Sequence, residues 1–198
     1  MKLNTQKKLT PIATAIGCLA LASSANAATL AMFDVGGTGS NLQAGYTAIS
    51  QGGSATDNGI TLTNTYANSA TRTESVNPLP ALYKDFLYNA GTLTLSGLAP
   101  TTDYVLTIYS YDINASSTSD WYIGANDGTP DHTSVVSSTF DESDAKFDLS
   151  VTSDGAGEVL ITVTGSRFNG MEVAAVPEPT TTALLGLGGL ALILRRRK

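Results

Sequence analysis

The chain of 198 residues holds one cysteine, one histidine and one tryptophan. Cys18 lies inside an apolar N-terminal run. If that run is removed no thiol remains, which excludes disulfides and thiolate chemistry from the rest. The single histidine, His132, cannot build a typical zinc site alone. Its surroundings, Gly128-Thr129-Pro130-Asp131-His132-Thr133, read as a solvent-exposed turn-like loop, and no nucleophile elbow accompanies it. Charge is also scarce, at 14% of residues, with 11 basic against 17 acidic and a net of −6. Between Ala28 and Val176 the basic residues are only Arg72, Lys84, Lys146 and Arg167, against sixteen acidic ones, a net of −12. A surface so poor in cations excludes nucleic acid as a partner. Asp141, Glu142 and Asp144, and the pair Asp127 and Asp131, read as solvated acidic loops, because catalytic carboxylates need a set separation that sequence spacing does not supply. No enzyme is expected.

What the chain does have is concentrated at its ends. Lys2, Lys7 and Lys8 precede an apolar stretch from Ile12 to Ala22, followed by Ser23-Ser24-Ala25-Asn26-Ala27-Ala28. Ala25 and Ala27 give the small-x-small pattern that a signal peptidase pocket admits, so residues 1–27 read as a signal peptide for the Sec machinery, cut after Ala27. At the other end Val176-Pro177-Glu178-Pro179 leads into an apolar run from Ala183 to Leu194, closed by Arg195-Arg196-Arg197-Lys198. The prolines leave an extended, accessible backbone. The run is short for a span that normally needs about 20 residues, but terminal cations snorkel and lengthen it. They also hold the tail on the cytoplasmic side, leaving the body outside the inner membrane.

Pro177, Glu178 and Pro179, the Gly-rich run with Gly186, Gly188 and Gly189, and the Arg195–Arg197 cluster together resemble the PEP-CTERM sorting signal. The resemblance implies recognition of residues 176–198 by an exosortase, a membrane-embedded cysteine protease or transpeptidase. It further implies transient anchoring in the inner membrane, removal of the tail, and delivery to the cell surface or outside it. Such proteins are associated with Gram-negative bacteria that make exopolysaccharide and biofilm.

Residues 28–175 read as one all-β domain, a β-sandwich or jelly roll with one short helix, flanked by the signal peptide and the C-terminal transmembrane sorting helix. Ala145, Phe147, Leu149 and Val151 alternate with Lys146, Asp148, Ser150 and Thr152, a half-buried strand. Val159, Ile161 and Val163 form its neighbour across the turn Ser153–Gly157. Strands are also expected at Leu30–Val35, Gln43–Ile49, around Ile60 and Leu62, around Leu93 and Leu95, at Tyr104–Tyr111 and at Phe168–Ala175. Leu79, Leu82, Tyr83, Phe86 and Leu87 share one helical stripe, with Pro80 in its first turn and Gly91 past its end.

Phe33-Asp34-Val35-Gly36, Gln43-Ala44-Gly45-Tyr46-Thr47, the Tyr104–Asp112 strand and the closing Phe168-Asn169-Gly170-Met171-Glu172-Val173 resemble galactose-binding-like jelly-roll domains of secreted proteins. That resemblance implies the fold more firmly than a ligand, although related domains often bind carbohydrate and some hold a structural calcium tying the first strand to the last. Here such an ion would involve Asp34 or Glu172. A second calcium position is the loop Asp112-Ile113-Asn114-Ala115-Ser116, where Asp112 and Asn114 alternate oxygen ligands but the glycine and distal Glu of an EF-hand are missing. The competing fold is fibronectin type III, because Leu98–Tyr104 resembles the turn before that fold's tyrosine corner.

Trp121 and Tyr122, with Tyr109 and Tyr111, gather near the loop Asn114–Asp120. Aromatic faces stack on pyranose rings, so Trp121 and Tyr122 are candidate glycan-binding residues; alternation alone also accounts for Tyr109 and Trp121 as core. The expected function is an exported, non-enzymatic module binding exopolysaccharide or another glycan. The alternative is a structural or adhesive matrix protein without a specific ligand, and a secreted hydrolase ranks third.

Overall fold

The computed structural model describes residues 28–36, 41–73, 79, 81–114, 116–136 and 139–177. The expected signal peptide, residues 1–27, and the tail from Glu178 onward lie outside the described residues. Twelve strands and one helix follow in order: β1 (Thr29–Val35), β2 (Thr47–Ile49), β3 (Ser54–Asp57), β4 (Ile60–Asn64), β5 (Asn68–Thr71), β6 (Asp85–Ser96), β7 (Asp103–Tyr109), β8 (Ser117–Ile123), β9 (His132–Val136), α1 (Glu142–Ala145), β10 (Lys146–Thr152), β11 (Val159–Phe168) and β12 (Gly170–Ala175).

They form two sheets. One has five strands in the order β10-β7-β12-β1-β2; the other has seven, β3-β4-β6-β11-β8-β9 with β5 beside β6. All pairs are antiparallel except β1 with β2. Period-two alternation sets which face is buried. In the five-stranded sheet Phe33, Leu106, Leu149 and Val173 point into the sandwich; Leu62, Leu95 and Ile161 answer from the other sheet. The fibronectin alternative is set aside by this strand count and order. Its tyrosine corner is nonetheless present, since the Ala99 N–H donates to the Tyr104 hydroxyl at 2.9 Å.

The helical stripe at Leu79–Leu87 is not a helix. Residues 81–84 form a turn, and Asp85 opens β6, the longest strand at 12 residues. The apolar spacing is divided among three surfaces: Leu82 and Tyr83 join a small aromatic cluster, Leu87 enters the main core, and Phe86 faces out beneath Arg72 and Arg167. Pairing decided it, because β6 is bonded to β11 on one side and to both β4 and β5 on the other. The one short helix is α1, capped by Asp141, whose carboxylate accepts from the Ser143 N–H at 2.9 Å. Ala145 ends that helix rather than beginning β10.

Asn169, between β11 and β12, ties the sheets together. Its N–H donates to the Tyr109 carbonyl, and its carbonyl accepts from Val35. Its Oδ1 accepts from the Tyr111 N–H at 2.6 Å, and its Nδ2 donates to the Asp85 carbonyl at 3.0 Å. Outside the five-stranded sheet, Leu82, Tyr83, Tyr109, Tyr111 and Ala145 form the second, smaller cluster.

Candidate functional site

The aromatic residues expected to meet a sugar are core residues. Trp121 is 0% exposed and Tyr122 6%. Trp121 faces inward from β8, its Nε1–H donates to Ser134 Oγ at 3.0 Å, and its ring meets Phe147 edge-on at 5.2 Å. Neither ring offers a face to a ligand. His132 opens β9 opposite Trp121 and stacks on Phe147 at 3.9 Å, rather than lying in an exposed loop. Burial lowers its pKa.

Of the expected calcium positions, two are already occupied by protein partners. The fully buried Asp112 carboxylate accepts from Arg72 Nε and Nη2 at 2.8 and 2.9 Å, from Arg167 Nε at 3.0 Å and from the Asn114 N–H at 3.1 Å. Burial pushes its pKa up, but the bonds from Arg72 and Arg167 outweigh that and hold it below the ordinary carboxylate value. Asp112 and Asn114 therefore do not fit calcium. Glu172 accepts hydroxyl bonds from Tyr46 and from Tyr109, the latter at 2.8 Å, and burial first, then these contacts, raise both tyrosine pKa values.

Asp34 differs. Burial is complete, Oδ2 accepts from the Gln43 N–H at 2.6 Å, and Oδ1 has no hydrogen-bond partner among the described residues. Its pKa is pushed up to about 7, by burial above all and then by the negative charge of Asp85, against the lowering effect of Gln43. Asp34 and Asp85 offer two carboxylates, whereas calcium wants about six to eight oxygens. Among the described residues no group of three or more acidic, histidine or cysteine side chains is placed to hold a metal. The pair does not by itself make a calcium shell.

Beside this pair opens a cleft of about 330 Å³, between the edge strand β2 of one sheet and the β5–β6 ribbon of the other. Buried Val35, Ile49 and Leu87 form its base, and exposed Ser50, Gln51, Ser69 and Thr71 form its rim. Gln51 links the two sides, accepting from Ser69 Oγ at 2.9 Å and donating to the Ala67 carbonyl. Asp85 stands in the wall. Its Oδ1 receives a long contact of 3.4 Å from Asn41 Nδ2, and its Oδ2 lies 2.9 Å from where a Cβ on Gly36 would sit. A side chain at Gly36 would therefore push into Asp85. Hydroxyls and an amide above an apolar base, with one carboxylate, suit a small polyol. Val35, Gly36, Ile49, Asp85 and Leu87 lie in segments with a sequence pattern, but none of them reads there as part of a site. Gln51, Ser69, Thr71 and Asp85 meet through pairing of distant strands, for which the sequence carries no local signal.

Fold and site thus define a β-sandwich protein with an open, polar cleft at one edge. Residues 175–198 match the family model of the PEP-CTERM protein-sorting motif, which marks an exported protein with a C-terminal, membrane-anchoring sorting signal. Pro177 is its last described residue; Glu178, Pro179 and Arg195–Arg197, like Ala25 and Ala27, lie outside the described residues. No curated protein matches the chain. Among solved structures, a family 35 carbohydrate-binding module from Clostridium thermocellum aligns at 14% identity over 56% of this chain and 90% of that one, with a TM-score of 0.35. A module of the same family from Paenibacillus barcinonensis aligns at 11% over 56% and 91%, with a TM-score of 0.36. Bacteroides uniformis beta-glucuronidase 2 aligns at 18% identity over 58% of this chain, with a TM-score of 0.41, and the chain spans only 14% of its length. At such scores the likeness carries no functional argument, and the fold stands on the two sheets themselves.

Proposed function

We propose that this protein is an exported surface or matrix protein, handed to an exosortase by its C-terminal motif, whose sandwich binds a glycan without catalysis. The observation that carries the reading is the sorting-motif match at residues 175–198, which supports export and with it access to extracellular polysaccharide. The cleft at β2 and β5 supports the glycan half, because its rim is built from hydroxyl and amide side chains over an apolar base. Retention of the full chain on immobilised polysaccharides tests it. Retention on at least one polymer, lost when Ser69→Trp fills the cleft mouth, is expected; passage through every polymer unretained would remove the glycan half.

Burial of Trp121 and Tyr122 favours the second reading, a structural or adhesive matrix protein with no specific ligand. Its sign is self-association together with no polysaccharide retention. Of the calcium positions, Asp34 keeps an oxygen with no partner among the described residues. Calcium titration followed by melting temperature examines it: an ion there raises Tm in the parent and leaves Asp34→Asn unmoved.

A further inference from the structure

The cleft carries a carboxylate, and nothing basic lines it among the described residues. Its one charged lining residue among those described is Asp85, whose negative charge is felt at Asp34. Among the described residues the salt bridges are those of Arg72 and Arg167 to Asp112, so neither Asp34 nor Asp85 is neutralised by a cation there. Lys146, at the start of β10, lies over the Tyr109 ring at 5.9 Å and does not line the cleft. One carboxylate, Asp85, thus lines a cavity whose other polar side chains among the described residues are hydroxyls and an amide, and the buried Asp34 lies next to Val35 and Gly36 of the lining.

We propose that the cleft takes a sugar bearing a free, protonated amino group, as in a de-N-acetylated hexosamine polymer. This rests on the glycan reading above and names the class of glycan. An ammonium group beside Asp85 gains a charge-assisted hydrogen bond and offsets the negative charge of that carboxylate. Ser50, Gln51, Ser69 and Thr71 bond the ring hydroxyls, and Val35, Ile49 and Leu87 receive an apolar ring face. The volume, at the lower end for small-molecule pockets, admits about one or two sugar rings. The same field repels uronates and sulfated sugars, so an acidic exopolysaccharide is excluded from this site.

The test is binding of a glucosamine trimer, its fully N-acetylated counterpart and a galacturonate trimer to the full chain in detergent, at pH 6.5, low salt and with chelator present. The glucosamine trimer is expected to bind about tenfold or more tighter than the acetylated one, with no binding of the galacturonate trimer. Asp85→Asn, which keeps the shape of the side chain, is expected to bring the first two within about threefold of each other. A preference that survives Asp85→Asn would assign it to the general acidity of the domain and overturn the proposal. Should that variant not fold, Ser69→Trp at the exposed rim serves instead: loss of glucosamine-trimer binding supports the cleft, and unchanged binding overturns it. Equal or tighter binding of the acetylated trimer would overturn the amino-sugar proposal and leave the glycan reading intact. Binding of none of the three, together with no retention on polysaccharide, would end both.

Discussion

Asn169 uses all four of its backbone and amide groups to join β1, β6 and the end of β7. Removing its side chain leaves the Tyr111 N–H and the Asp85 carbonyl unsatisfied in a buried place. Asn169→Ala should therefore cost about 2–4 kcal/mol, read from urea denaturation. Asp34 acts in the opposite sense. Its carboxyl is raised from 3.8 to about 7 in the fold, so its favourable contribution is complete below about pH 4 and is lost as pH rises through about 7. The loss amounts to at most about 4 kcal/mol. His132, with its lowered pKa, pulls the other way in this window, so the readout is the difference between parent and Asp34→Asn. That difference should shift in favour of the variant from pH 4 to 7.5; a constant difference would contradict the buried, unpartnered state of Asp34. At this scale the sequence was legible in part. Asp34 is singled out by the jelly-roll resemblance and the core place of Trp121 agrees with alternation, but the arginine pairing of Asp112 comes from strands far apart in the chain.

Among the elements, strands with clean alternation are legible in the sequence: β1, β7, β10, β11 and β12 follow the expected segments closely, although β10 and β11, expected as neighbours across the Ser153–Gly157 turn, belong to different sheets. The polar strands β3, β5, β8 and β9 gave no such sign, because Ser, Thr and Asn fill their outward positions as they would fill a loop. The helical stripe before β6 failed for a related reason: a turn followed by a strand placed apolar residues at helical intervals by coincidence. Gly91 belongs to this error. It was read as a helix stop, but it lies within β6, and a Cβ there would meet the Tyr66 ring at 2.8 Å. Tyr66 stacks in turn on Phe168, so it has little room to retreat. Gly91→Ala should destabilise by about 1–3 kcal/mol through overpacking. In the Tyr66→Ala background the same change should cost clearly less, a coupling that a double-mutant cycle measures.

For the whole molecule, the destination was more legible than the task. Short, contiguous signals at the two ends carry the expected address, and the C-terminal one, the PEP-CTERM motif, is matched over the last stretch of chain alone. The cleft is the product of two sheets meeting at an edge, so its chemistry appears only once the sandwich is built. The account as a whole stands on the claim that the chain is exported and then released from its anchor by processing at the Pro177–Pro179 motif. Intact mass of the protein recovered from culture medium and from membranes tests it most directly. The account predicts a mature form in the medium or at the cell surface that lacks residues 1–27 and everything beyond the motif. A single form that lacks only the signal peptide and stays in the inner membrane would contradict it.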